Sequence, residues 1–551
     1  MKRFLFYILA AVSLVACNID EDLTSPLKPE ITIEQNRYQL KVGQSVELRA
    51  EVENVDSESS YSWSLQGVML SSAKSYRFEA SSVGSFLITL TVTNIAGSSS
   101  VDFRIDVREL APPVVSFAVG DDRKFQMVVG RTYEIRADVE SPSDVALEWR
   151  LDGKVAGSGE SLELSFNEIA DHALVLVAQN EDGRSESEIT LSVGTHVGDM
   201  IHIEPQRHVA LGRTLYLEPT LWDLEEATFE WRMGGDLLGS EQLLKFTPSA
   251  EGEYQIQLKA TANGHTEERT ISVVCHPSEL QSKREKSSAS QKACNRVYSY
   301  TPAPGQFINE KESGFAGEST PEEATAYAEQ RLSAGRYVSL GAWGGEIVVG
   351  FDHSVEGGFS IGSNFYDGSS EAGIVWVSQD TNRNGQPDDE WYELRGSEWA
   401  GENHRRLHAI SYFKSEDGRN IMWRDNKGQT GCVYRNGTHT QSSYFPRWIE
   451  GGSYALYGSW LKPNTEREAS GKYVNRAYAW GYADNKGQDA TQGSESGEGC
   501  SCVFKIENAV NPDGSAAELL YIDFVKVQTA ICHSAGELGE ISTEVSRIEA
   551  I

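Results

Sequence analysis

Trp63-Ser-Leu-Gln-Gly67, Trp149-Arg-Leu-Asp-Gly153 and Trp231-Arg-Met-Gly-Gly235 decide how the first half of the chain folds. The tryptophans lie 86 and 82 residues apart, the length of one small β-sandwich each. Each Trp leads into a turn, then a strand at Phe78, Phe166 or Phe246. An alternating strand follows: Phe86-Leu-Ile-Thr-Leu-Thr-Val-Thr93, Ala173-Leu-Val-Leu-Val-Ala-Gln179 and Tyr254-Gln-Ile-Gln-Leu-Lys-Ala260. A period of two buries one face of a strand and wets the other, as a sandwich sheet requires. Asn94-Ile-Ala-Gly97 and Asn180-Glu-Asp-Gly183 supply the hairpin turns before the last strands.

The three units resemble PKD-type immunoglobulin-like domains, each with a Trp as core anchor. The resemblance implies a fold and leaves function open. Expected boundaries are 29–108, 112–195 and 198–275. Set end to end as a stalk, three such units reach on the order of 100 Å. Residues 276–294 are poor in apolar side chains, with Lys283-Arg-Glu-Lys286 before Ser-Ser-Ala-Ser, and read as a linker with a solvated basic joint.

Length and charge narrow the rest. A chain of 551 residues suggests several domains. The formal net charge of −32 repels phosphate backbones, which argues against nucleic acid as a partner. Fifty glycines beside 39% hydrophobic residues fit loop-rich, all-β domains better than disorder.

Met1-Lys2-Arg3 followed by an apolar run from Phe4 to Ala16 reads as a secretory signal. As a helix that run spans roughly 20 Å, short of the roughly 30 Å of a bilayer core. It ends in Leu14-Val15-Ala16-Cys17, which resembles a bacterial lipobox, so Cys17 is the expected lipidation site and residues 18–28 an acidic tether. Asn18-Ile19-Asp20-Glu21-Asp22 resembles the surface-export signal of Bacteroides-type lipoproteins. The expectation is a soluble body held by lipid at the outer membrane, facing outward. Six further cysteines, at 275, 294, 432, 500, 502 and 532, then meet an oxidising compartment. Cys500-Ser-Cys502 has neither a redox nor a zinc-knuckle spacing, so disulfides are expected there, with the pairing open.

From Cys294 onward the composition changes: eight of the 12 tryptophans lie beyond residue 340. Thr320-Pro321-Glu322-Glu323 predicts a helix to about Leu332, with a hydroxyl N-cap, Pro at the first position and acids in the first turn. Runs such as Glu346–Phe351, Gly373–Ser378 and Leu520–Val527 predict strands of a larger β-sandwich or jelly-roll over 295–551.

Asp380-Thr-Asn382-Arg-Asn384-Gly385-Gln386-Pro-Asp388-Asp389 is the sharpest local motif. Short oxygen-bearing side chains at positions 1, 3 and 5, with Gly at 6, suit a loop around Ca²⁺. Asp380, Asn382 and Asn384 would supply side-chain oxygens and Gln386 its carbonyl. Trp391 stands where an EF-hand has its bidentate Glu, so Asp388 or Asp389 must close the shell.

Tyr444, Arg447, Trp448, Tyr457, Trp460, Tyr478, Trp480 and Tyr482 crowd about 40 residues rich in Gly, Ser and Pro. Alternate rings of a strand are buried; the others can pack on a broad ligand such as a sugar or a macrocycle. The sequence carries no HExxH or P-loop motif, no carboxylate pair stands out, and His404, His408 and His439 read as surface or core residues. A binding protein is therefore expected rather than an enzyme.

Gly350-Phe-Asp-His353, Gly373–Gly385, Asp389-Glu-Trp-Tyr-Glu-Leu-Arg-Gly-Ser397 and Tyr521–Thr529 resemble a family of surface lipoproteins with PKD-like stalks. That resemblance implies binding of cobalamin and other corrinoids by the domain after Cys294, with delivery to an outer-membrane TonB-dependent transporter and its surface lipoproteins. The residues themselves serve equally a glycan-binding lipoprotein of a polysaccharide-utilisation system, and less well a glycoside hydrolase.

Overall fold

Trp63, Trp149 and Trp231 are fully buried, and each indole N–H donates to a backbone carbonyl ten residues further on. The acceptors are Ala73, Gly159 and Glu241, each at 2.9 Å. In this computed structural model, which describes residues 26–224, 226–310, 317, 319–491 and 499–551, the repeat is thus a repeat of geometry. The leader, Cys17 and residues 18–25 of the tether lie outside the described residues.

In the first repeat one sheet orders Arg37–Lys41, Gly97–Arg108, Gly84–Asn94, Ser60–Leu65 and Val68–Ser71 side by side. The other two repeats build the same five-stranded sheet, each with one parallel pair at its edge. Register slips by one residue directly after each Trp, a bulge that adds twist and lets the sheet wrap its core. Smaller sheets close the opposite face: Val114–Phe117, Thr132–Glu140 and Ser161–Ser165 in the second repeat, two strand pairs in each of the others. The alternation at Phe86–Thr93 puts Ile88, Leu90 and Val92 inside.

The chain forms two compact units, one ending at Pro112 and one running from Pro113 to Ile551. Within the second, six strands (Arg296–Thr301, Glu346–Val355, Ile522–Thr529, Gly373–Ser378, Trp391–Leu394, Ala509–Val510) make a mixed-order antiparallel sheet. Its Val349, Val375 and Val525 share a core with Phe359, Ile361, Phe504 and Ile548 of a facing four-stranded sheet. Helix Pro321–Ser333 adds Ala324, Ala328 and Leu332 to that core, capped as predicted by Thr320, whose hydroxyl accepts from Glu323 N at 3.3 Å. A further sheet of Thr430–Val433, Ile421–Asp425, His404–Phe413 and Ser453–Leu461 carries a second core around Trp343, Tyr412, Tyr444 and Phe445. The protein is all-β, as expected.

Three sequence expectations are corrected here. The second and third sandwiches do not stand free as stalk segments: they dock on the C-terminal domain. Arg424 is the centre of that contact. It donates to the Gln126 carbonyl at 2.8 Å, pairs with buried Asp223 and lies 4.1 Å from the Phe125 ring centroid. Arg207–Glu390, Arg406–Glu218 and Lys245–Asp513 extend the seam.

The region read as a linker is also packed. It forms a short helix at Glu279–Ser282, and Arg284 reaches 2.8 Å from Asp523, a carboxylate with no exposed surface. A buried charge needs a partner, and the apparently solvated basic cluster supplies it.

All six described cysteines are unpaired thiols. Cys500 and Cys502, two apart on one strand, are both buried, and their thiols donate to the Ser363 and Asn485 carbonyls.

Candidate calcium loop and ligand groove

Residues 379–390 connect the paired strands Gly373–Ser378 and Trp391–Leu394, so the predicted calcium motif is a hairpin loop at one end of the six-stranded sheet. Its backbone is turned by Asx contacts: Asn384 N donates to Asn382 Oδ1 at 2.9 Å and Gln386 N to Asn384 Oδ1 at 2.7 Å. Gly385 takes φ +69°, the left-handed turn its position requires, and donates to Asp380 Oδ2 at 3.1 Å. Asp388 closes the loop, accepting from Asn382 Nδ2 at 3.0 Å and Asn384 Nδ2 at 2.7 Å.

Asp380 is 1% exposed, and its Oδ1 has no hydrogen-bond partner. Burial, and then the neighbouring Asp523, push its carboxyl above the ordinary range. A buried, half-satisfied carboxylate facing a ring of amide and carboxyl oxygens is what a hard cation would complete, so the residues present fit Ca²⁺. Asp380, Asn382, Asn384, Asp388 and the Gln386 carbonyl are the oxygens available to it.

Asp389 departs from that set. Its carboxyl accepts from Thr381 N at 3.2 Å and from Thr381 Oγ1, and lies within reach of His208 and His276 of the third sandwich. Burial raises it to about 8. His208 Nδ1 and His276 Nε2 are 2.7 Å apart with ring planes 13° from parallel. That is an N–H···N hydrogen bond; tetrahedral nitrogens on zinc at about 2.0 Å would stand roughly 3.3 Å apart. The Asp389 carboxyl is thus held by Thr381 of the loop itself, beside the histidine pair of the third sandwich.

The eight aromatic-loop residues separate into distinct groups. Tyr444, Trp448, Tyr478 and Tyr482 are core residues, none more than 6% exposed, which corrects their expected place on a ligand face. Tyr444 O–H donates to the His439 carbonyl, Tyr478 O–H to the Lys462 carbonyl, and Tyr482 Oη accepts from Glu398 N. Their loops are pinned from within. Trp460 is half-buried beneath the Arg405 guanidinium, 4.7 Å from its ring, and Trp480 is half-buried as well. Arg447 is exposed and donates to Ser442 Oγ at 3.0 Å.

Tyr457 lines a cavity. It stacks on His202 at 3.7 Å and meets Trp222 edge-on at 6.2 Å between centroids. Here the second sandwich, the third sandwich and the C-terminal domain converge on a groove of about 380 Å³. Phe413, Asp122, Lys124 and Asp199 share its wall. Sequence reading missed Trp222, Asp122 and Asp199 because they belong to sandwiches assumed to be spacers. A larger cleft of about 640 Å³ lies between the second sandwich and the C-terminal domain, with Tyr434 as its single aromatic ring.

Of the histidines, His404 Nε2 lies 2.8 Å from Glu393, and His439 Nδ1 lies 3.1 Å from Glu310. His408 is buried against Trp343, its Nδ1 accepting from Arg405 at 3.0 Å. Burial first, and then Arg405, lower it to about 3, so it is neutral.

Residues 26–94 match the PKD-like domain family. Solved structures with similar tandem domains include the I67–I69 fragment of the titin I-band, at 16% identity over 45% of this chain and 98% of that one, TM-score 0.23. The three N-terminal domains of the bacteriophage RB49 Highly Immunogenic Outer Capsid protein match at 14%, over 45% and 99%, TM-score 0.23. The fibronectin(III)-like modules of Clostridium thermocellum CbhA match at 14%, over 30% and 93%, TM-score 0.17. No curated protein matches the chain.

Proposed function

We propose that this protein is a surface lipoprotein, anchored through Cys17, that captures a corrinoid of the cobalamin class and passes it to an outer-membrane transporter. Its role is binding rather than catalysis. The observation that carries the reading is Tyr457, which lines the three-domain groove together with Trp222 and Phe413. Rigid rings beside Asp122, Lys124 and Gln126 suit a ligand with an apolar face and a rim of amides. The resemblance of the C-terminal segments to surface lipoproteins with PKD-like stalks supports the choice of corrinoid. The groove draws on two sandwiches, so the binding body is larger than the domain after Cys294 alone.

Ligand pockets commonly measure about 300–1,000 Å³, which puts this groove at the small end. Only one edge of a macrocycle enters it, the rest lying across the rim. The same size favours a second reading, in which one or two sugar rings of a glycan stack on Tyr457.

Calorimetry of the full chain against cyanocobalamin and a glycan panel tests both. Saturable heat with cyanocobalamin, weakened at least tenfold by Tyr457→Ala and unchanged by Tyr434→Ala in the larger cleft, is expected. Binding to a polysaccharide with none to the corrinoid would transfer the assignment to the glycan reading.

A further inference from the structure

Glu371, Asp484 and Glu544 come from distant parts of the sequence, yet a carboxyl oxygen of each lies within 4.8 Å of the others. Glu371 lies two residues before the strand Gly373–Ser378, Asp484 lies in the loop after Tyr473–Asn475, and Glu544 pairs with Ser339 in a two-stranded ladder. The backbone holds them there. Glu371 N donates to the Asp484 carbonyl at 2.9 Å, and Gly373 and Ala483 exchange two hydrogen bonds of 2.9 Å. Asp484 itself takes φ +51°, an uncommon conformation for a residue with a side chain, fixed by these contacts.

The site lies inside the domain: Asp484 is 1% exposed and Glu544 2%. Among the described residues no ion pair reaches any of the three carboxyls. The neutral donors are few. Asn475 Nδ2 is 3.3 Å from Glu371 Oε1, Ser542 Oγ is 3.0 Å from Glu544 Oε1, and Glu544 N is 3.0 Å from Asp484 Oδ2. Asp484 Oδ1 is buried and has no hydrogen-bond partner.

We propose that Glu371, Asp484 and Glu544 bind one divalent cation, Ca²⁺ by the chemistry of its donors, at a site separate from the 380–389 loop. Three carboxylates removed from water repel one another and lose their hydration, a cost that no arginine or lysine offsets here. A doubly charged ion offsets it at the point where the unpartnered oxygen sits. The donors are hard oxygens, with the hydroxyls of Ser339 and Ser542 adjoining. Such a set selects Ca²⁺ over thiophilic or imidazole-seeking metals. Oxygens on opposite sides of Ca²⁺, at about 2.4 Å each, stand roughly 4.8 Å apart, so three oxygens no farther apart than that are close enough to share one ion. The ion would tie the C-terminal segment to two loops of the sandwich, adding a cross-link to the hydrogen bonds that already join them.

The competing account is that the three acids stay neutral and share protons. Burial does push all three carboxyls well above their ordinary range. Metal analysis separates the two accounts. The full chain carrying Asp380→Ala, which disables the loop, is equilibrated with calcium chloride, desalted and assayed by plasma mass spectrometry. One retained calcium per chain is expected, with a melting temperature on the order of 5–10 °C higher than in EDTA. Adding Glu371→Gln, the least buried of the three positions, should abolish both retention and shift while the chain stays folded by circular dichroism. If the Asp380→Ala chain retains no divalent ion and melts identically in calcium and EDTA, the proposal is overturned. Asp484→Asn gives an independent check: loss of both calcium retention and the calcium-dependent melting shift supports the cation, and a calcium response equal to that of the Asp380→Ala chain overturns it.

Discussion

The sandwich repeats and the C-terminal domain satisfy their buried polar groups over very different distances. In each repeat the buried Trp N–H finds a carbonyl ten residues away, and the hairpins pair immediate neighbours in sequence. In the C-terminal domain Asn309 reaches the Ser443 and Phe445 carbonyls, Arg284 reaches Asp523, and Gln306 N donates to Glu540. Local satisfaction leaves a repeating signature in the sequence. Long-range satisfaction leaves none, because each partner alone looks like an ordinary surface residue.

If the repeats are locally held, the largest single loss should come from their central ring. Trp149→Ala removes a side chain with no exposed surface, and truncations of this kind cost about 3–5 kcal/mol. Urea denaturation of the full chain should show that loss in the transition reporting the second sandwich. An equal loss in every transition would mean that the repeats do not fold as separate cores.

Next in size is the seam. Arg424→Ala strands Asp223, whose side chain is wholly buried, with Arg131 at 3.7 Å as its remaining cation. Removing one partner of a buried pair costs about 3 kcal/mol or more, and Asp223→Asn in the same chain should recover part of it. The measurement is again the urea midpoint. A change under about 0.5 kcal/mol would mean that the docked arrangement contributes little to stability.

The calcium loop should contribute about 2.7 kcal/mol when the ion is present at a hundred times its dissociation constant. Differential scanning calorimetry in calcium and in EDTA reads it, and Asp380→Ala should remove that share. A wild-type chain indifferent to chelation would refute both cation sites together.

Between pH 7 and pH 5 His408 adds a stability change of about 2 kcal/mol. Its folded value is depressed to about 3 by burial, with Arg405 beside it, while an unfolded histidine titrates near 6.5. Between those values the unfolded chain binds the extra proton, so stability is full above about pH 6.5 and falls as pH drops towards 3. Denaturation midpoints from pH 7 to 5 should decline less steeply in His408→Gln than in the parent. Equal slopes would mean that His408 titrates normally.

How much of this could be read beforehand follows from the same contrast. The Trp spacing, the alternating strands, the Asn-to-Gly hairpins and the Asp380–Asp388 loop are local patterns, and all reappear in three dimensions. The aromatic loops misled for a physical reason. A Tyr beside Gly or Pro is the same letter whether its ring turns outward or, like Tyr444 and Tyr482, inward with the hydroxyl tied to backbone. The docking of the sandwiches was hidden similarly: Arg131, Arg207 and Arg213 look solvated until Asp223, Glu390 and Glu279 are placed opposite them. Cysteine count suggested bridges, but pairing needs proximity that spacing does not encode.

The smallest effect concerns a local device set inside the non-local domain. Thr320 caps helix Pro321–Ser333 through Glu323 N, while Ser319 N donates to Glu323 Oε2 at 2.9 Å, so the acid reaches back to the chain just before the cap. Losing a hydroxyl cap costs about 1 kcal/mol. The helix carries Ala324, Ala328 and Leu332 into the shared core, so its fraying would expose apolar surface there. Thr320→Ala should therefore shift the urea midpoint of the C-terminal domain by about that amount, and Thr320→Ser should restore it. A serine variant no more stable than alanine would show that the tertiary contacts of Ala324, rather than the cap, set where this helix begins.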